Sequence, residues 1–152
     1  MDKPTHEQAK LQLELFEMRR EARLRQARDW FQKNYFVDSF EEAMKLASPG
    51  TEAGTNAGMV ASYWEQVCAM LNYGLLHDQL FFETNGEFFM VWERLKPMAG
   101  GFREQFAAPH MFANLEKAAQ RYEAWMEKTS PGHVGRMREF MKQMRGQVTK
   151  AA

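Results

Sequence analysis

Apolar residues recur at helical spacing along nearly the whole chain, and nowhere do apolar and polar residues alternate for long. The densest stretch runs from Tyr63 to Pro97. It opens Tyr-Trp-Glu-Gln-Val-Cys-Ala-Met-Leu-Asn, turns at Gly74, and ends Phe-Phe-Met-Val-Trp-Glu-Arg-Leu-Lys-Pro. Two aromatic-rich helical runs about one tight turn predict a packed helical hairpin at the centre of the fold. Ile is absent and Val and Thr are scarce, so the residues that favour strands are missing. The pattern predicts an all-α fold, a single-domain bundle of five or six helices with a long N-terminal helix.

That first helix is expected from Thr5, a plausible N-cap, to about Asn34. It carries two apolar stripes on opposite sides. Leu11, Leu15, Met18 and Ala22 form one; Leu13, Phe16, Leu24, Ala27 and Phe31 form the other. A straight helix of this length spans about 45 Å, whereas a compact chain of this size has a radius of gyration of about 15 Å. One stripe therefore serves the core, and the other calls for the C-terminal helix or a second copy of the protein as its cover. The first stripe is the candidate for self-association.

Ser39-Phe-Glu-Glu42 has the capping-box pattern and opens a short helix to about Ala47. Ser48 to Asn56 reads as a loop by composition, followed by a helix from Ala57 to Tyr73 that Gly74 terminates. Asp78 is expected to cap a fourth helical region reaching Lys96, with Gly86 a point of interruption. Pro97 and Gly100-Gly101 should kink or end it. Pro109 is expected to start a fifth helix at the first-turn position that Pro tolerates. A last helix from His133 to Gln147 lines up Val134, Met137, Met141 and Met144. Residues 1–5 and 147–152 are expected to fray.

With 152 residues, 45% hydrophobic and 26% charged, the chain has the make-up of one ordinary domain, 1–152, whose core requires no disulfide. Twenty basic and twenty acidic residues cancel, which argues against a nucleic-acid partner. The longest apolar run, Phe88 to Trp92, falls far short of the roughly 20 residues of a membrane span. The polar first ten residues lack the apolar stretch of a signal peptide. Cys68 is the single cysteine, flanked by Val67 and Ala69, and reads as a buried inert thiol in a reduced, cytoplasmic setting.

Asn72-Tyr73-Gly74-Leu75-Leu76, the acid Asp78, Trp92-Glu93-Arg94 and Lys96-Pro97 together resemble an uncharacterised bacterial family of small helical domains, a domain of unknown function. The resemblance implies an all-helical fold and a bacterial cytoplasmic context. It brings no reaction, substrate or cofactor. Some members of that family carry a transmembrane helix ahead of the domain; no such segment is read in this sequence, so a membrane setting is not carried over.

The candidate sites are few. Twelve methionines read first as core filler in place of Ile, and second as a groove for an apolar ligand or a partner helix. The C-terminal helix joins its Met stripe to Arg136, Arg138, Lys142, Arg145 and Lys150, and is expected to dock back with its basic side in water. Arg19, Arg20, Arg23, Arg25 and Arg28 point in different directions on a helix and read as a solvated face. His6, His77, His110 and His133 share no metal-ligand spacing, so no metal or cofactor residue is assigned. No nucleophile elbow or phosphate loop is present, and Glu83 and Glu87 read as exposed helix-surface acids. The remaining polar cluster is Glu65, Trp92, Glu93 and Arg94, in which a partly buried Glu65–Arg94 ion pair would fix helix register. The leading functional expectation is a non-enzymatic interaction or scaffold protein that self-associates or meets a protein partner. The alternative is a small-molecule or lipid-binding domain with a Met/Phe-lined cavity.

Overall fold

The computed structural model describes residues 2–151, and among them every regular element is a helix. In chain order these are α1 (His6–Arg19), α2 (Ala22–Asn34), α3 (Phe40–Leu46), α4 (Glu52–Asn72), α5 (Asp78–Thr84), α6 (Glu87–Gln105), α7 (Ala113–Thr129) and α8 (His133–Ala151). The fold is all-α as the pattern predicts, but eight helices replace five or six, because two of the expected helices are each divided.

The long N-terminal helix is two helices. Glu21 leaves the helical conformation at φ −54°, ψ 139°, and its carboxylate accepts the N–H groups of Arg23 and Leu24 at 3.0 and 2.9 Å. It closes one helix and caps the next, as an acid at a helix N-terminus should. Those backbone hydrogen bonds hold its carboxyl below the ordinary glutamate value. The break also changes which stripe faces inward. In α1, Leu15 is buried and Leu11 packs against the core, while Leu13 and Phe16 stay exposed. In α2 the other stripe turns in, burying Leu24, Ala27 and Phe31. Met18 and Ala22, from the first stripe, are exposed.

The second division falls at Gly86, which separates α5 from α6. His77 caps α5 through its Nδ1, which accepts from Leu80 N–H at 3.2 Å; Asp78 instead pairs with Arg121. Pro97 and Gly101 do not end α6, which runs on to Gln105. Pro97 is exposed, so the carbonyl it leaves unpaired one turn earlier is not trapped in the core. Gly101 is needed because a Cβ there would run into Phe40 on α3. Helix α4 starts at Glu52, capped by Thr51, inside the segment expected to be a loop; α7 starts at Ala113, four residues after Pro109.

The end of α4 is a Schellman motif. Gly74 sits at φ 79°, its N–H bonds to Leu71 O at 3.0 Å, and Leu75 N–H reaches back to Met70 O at 2.9 Å. Thr5 caps α1 with the full capping box. Helix α8 continues through residues 147–151, where fraying was expected; residues 1 and 152 lie outside the described residues.

Helix α4 is the central element. It packs most extensively against α2 and α7 and only lightly against α6, while α6 leans on α7 and α3. The predicted hairpin is thus opened out, with α7 taking much of the place beside α4. Between these helices lies an aromatic cluster. Phe88 meets Tyr122 at 5.2 Å and Phe81 at 5.3 Å, and Phe82 meets Trp125 at 5.6 Å between ring centres. The C-terminal helix docks back on the domain as expected, but its basic side is not wholly left in water, since Arg138 and Arg145 face acids of the domain. Val134 is its buried anchor, Arg138 pairs with Glu93 and Glu123, and Arg145 holds Asp38 in a two-pronged contact at 2.6 and 2.7 Å.

Candidate functional site

Two faces of α4 differ in side-chain size. Val60, Trp64, Val67 and Leu71 share one face and are buried. About a third of a turn away come Gly54, Ala57, Gly58, Ala61, Glu65 and Ala69, all small except the acid. Bulk fills the first side. On the second, the small residues leave a cleft of about 520 Å³ between α4, α3, α6 and the loop joining α6 to α7. Across it stand Met44 from α3, Met98 and Phe102 from α6, and Met111 and Phe112 from the loop, with Tyr35 and Leu95 also on the lining.

The loop wall is held in place. Helix α6 ends with Ala107 at φ 48°, where Ala108 N–H bonds to Arg103 O at 2.9 Å; Phe112, at φ 60°, precedes α7. Left-handed backbone at a residue with a side chain costs on the order of 1–3 kcal/mol and persists only where its surroundings enforce it. Here Arg103 Nε donates to Met111 O at 2.8 Å and Arg103 pairs with Glu116 at 3.0 Å. Phe112 is buried against Phe102, with ring centres 5.5 Å apart.

Glu65 completes this scaffold. One carboxylate oxygen accepts Leu115 N–H at 2.8 Å; the other accepts Asn114 N–H at 3.2 Å and Asn114 Nδ2–H at 3.0 Å. A side chain of α4 thereby caps α7, giving negative charge to the positive end of that helix and satisfying two of its orphan donors. Arg94 does the complementary thing elsewhere. Its Nη1 donates to Phe31 O and Gln32 O, both at 2.8 Å, closing the C-terminal end of α2, with the guanidinium 4.4 Å from the Phe36 ring centre. Burial lowers its pKa to about 10, which leaves it cationic at neutral pH.

The expected Glu65–Arg94 ion pair is therefore not formed: each group serves a different helix end. Trp92 is buried in the core, and Glu93 pairs with Arg138 on α8. The structure scatters the four residues of the polar cluster among separate structural contacts. The candidate stripe Leu11, Leu15, Met18 and Ala22 is not a free face either, since its first two members pack inward. Glu87, expected on the surface, is largely enclosed. It accepts from Arg28 at 2.8 Å and Gln32 at 2.9 Å, with Arg19 at 3.8 Å, so part of the arginine cluster serves to hold α6 against α2. Burial pushes the Cys68 thiol well above its usual value, consistent with an inert role.

The cleft's polar inventory is short. No Lys or Arg lines it, Ser62, Gln66 and His110 are exposed, and Glu65 is engaged as described. The hydroxyl of Tyr35 has no hydrogen-bond partner among the described residues, although the residue is only 2% exposed. Burial raises that hydroxyl to about 12, so it stays a neutral donor. Among the described residues no three His, Cys, Asp or Glu side chains gather closely enough to hold a metal ion, and no helix is long and apolar enough to cross a membrane.

Sequence reasoning missed the small-residue face because it followed the large apolar residues of the expected Ala57–Tyr73 helix, and because it left Gly54 in a loop. The signal was present: Gly54, Ala57, Gly58, Ala61 and Ala69 recur at helical steps once the helix is started at Glu52.

These features define an all-helical domain with a side-opening apolar cleft. Residues 4–122 match the family described as "Domain of unknown function (DUF4760)", and the chain belongs to it. The match takes in Asn72-Tyr73-Gly74, Trp92-Glu93-Arg94 and most of α7, and stops before α8. No curated protein and no solved structure matches the chain.

Proposed function

We propose that this protein is a non-enzymatic binding module that takes an apolar small molecule or a lipid chain into the cleft beside α4. The observation that carries the reading is the pairing of a small-residue helix face with a wall of Met and Phe across about 520 Å³. That volume falls within the roughly 300–1,000 Å³ of small-molecule sites, which are mostly apolar and pre-formed. Met side chains adapt to irregular apolar guests, and the clamp by Glu65 and Arg103 keeps the walls apart.

Gly58 offers a direct test. It lies on the cleft within α4, and a Cβ there would meet nothing within 4 Å. Gly58→Leu should obstruct the open side of the cleft without disturbing the fold. Native mass spectrometry of the purified protein should show a copurified or added apolar ligand on the parent chain and none on the variant. Equal loading of both would reject the cleft as the site.

A second reading, self-association, has one supporting observation: Leu13, Phe16 and Met18 are exposed on α1. Sedimentation at micromolar concentration checks it. A larger species reduced to monomer by Leu13→Lys with Phe16→Lys would support it, and a strictly monomeric parent would remove it.

A further inference from the structure

Resting on the ligand reading above, we infer that the cleft selects neutral single-chain amphiphiles, of the long-chain alcohol or acylglycerol type, over anionic ones such as fatty acids. Charge and one hydroxyl set this preference. Fatty-acid carboxylates held in apolar sites need a cationic or multiple-donor partner, because an ionised group taken out of water without one is strongly penalised. This lining supplies no Lys and no Arg, and its remaining donors, Gln66 and His110, belong to exposed residues rather than to the enclosed part of the cleft. Its one carboxylate, Glu65, already takes the N–H groups of Asn114 and Leu115, and adds negative charge to the cleft wall. A second anion there would meet repulsion and find those donors occupied.

A neutral polar end finds a better match. Tyr35 lies on the cleft, almost wholly enclosed, with a hydroxyl that no protein group engages. An alcohol or ester oxygen can accept that O–H once the guest has displaced water from the cleft. Ser62, at the α4 side, donates its own hydroxyl to Met59 O at 3.3 Å and keeps its oxygen free to accept from an alcohol. Ligand selectivity then comes from a tyrosine donor set in an apolar wall without lysine or arginine.

The test uses the whole chain and two probes that differ only at the head, 1-decanol and decanoate, titrated at pH 8 below their micellar concentrations and followed by NMR amide shifts. Decanol should bind at least tenfold more tightly than decanoate. Tyr35→Phe, which removes a hydroxyl with no protein partner, should weaken decanol about fivefold while leaving decanoate and the melting temperature unchanged. Gly58→Leu should abolish decanol binding. Equal or tighter binding of decanoate would overturn the selectivity while leaving the cleft as an apolar site. Decanol binding unaffected by Tyr35→Phe would overturn the role of that hydroxyl. Failure of both probes to bind would overturn the ligand reading itself, and the selectivity with it.

Discussion

The two faces of α4 present the same helix solving opposite problems. On one, Val60, Trp64, Val67 and Leu71 are buried in the core, and Trp64, 1% exposed, meets Phe88 of the aromatic cluster. On the other, glycine and alanine leave room that Met44, Met98 and Phe102 border without filling. Both faces follow the same helical period, so hydrophobic patterning alone treats them as equal. Side-chain volume separates them, which is why packing and ligand space can be built into adjacent strips of one element.

The comparison can be broken on either side. The largest effect is expected in the packed half. Phe88 is fully buried among Trp64, Phe81, Phe82 and Tyr122, so Phe88→Ala should cost about 3–5 kcal/mol in a urea melt. A loss below about 1 kcal/mol would mean that the cluster is loosely packed.

Next comes the clamp between the halves. Glu65→Ala strips a charged acceptor from Asn114 and Leu115 N–H, and should cost about 2 kcal/mol by the same measurement. Glu65→Gln should recover part of it. If α7 amides exchange no faster in the alanine variant, the cap is not holding that helix.

The cleft half should respond in the other direction. Gly58→Leu replaces a mid-helix glycine in open space and should stabilise the fold by about 0.5–1 kcal/mol. Destabilisation would show that the cleft is closed there in solution.

The smallest effect lies away from both faces. Arg145 hydrogen-bonded to Asp38 holds that carboxyl below the ordinary aspartate value. The sign follows from linkage: stability from a depressed acid is present above its unfolded value and is lost as pH falls through the folded one. Asp38 is well exposed, so the global change should be slight. Protection of α8 amides, taken relative to their intrinsic exchange rates, should fall as the pH is lowered through the range in which Asp38 takes up its proton, and Asp38→Asn should remove that dependence.

Much of the architecture was legible in the sequence. Helical periodicity identified the all-α class, Thr5 and Ser39 marked true caps, and Gly74 marked a true helix end. Cooperation between distant residues was not legible. Glu65 and Arg94 are each an ordinary charge in a helix, and only the fold decides that one meets the start of α7 and the other the end of α2. Pro97 and Gly101 carry helix-breaking propensities that tertiary packing overrides. The break at Glu21 was not legible, because one acid among several arginines looks like surface charge, when its backbone turn and its carboxylate together stop one helix and start another. The cleft was half legible: its Met and Phe wall was foreseen as an alternative, while its alanine and glycine wall was not.

The bend at Glu21 has a consequence for how many molecules the fold asks for. A straight rod from residue 5 to residue 34 would turn Leu11 and Leu15 one way and Leu24, Ala27 and Phe31 the other, and one flank would require a lid from outside. A corner of two residues shifts the phase of the wheel, so that each half shows its own greasy flank to the same interior. Geometry within one chain thereby supplies cover that a dimer partner would otherwise have to bring, and along α1 the short strip around Leu13, Phe16 and Met18 is left facing water.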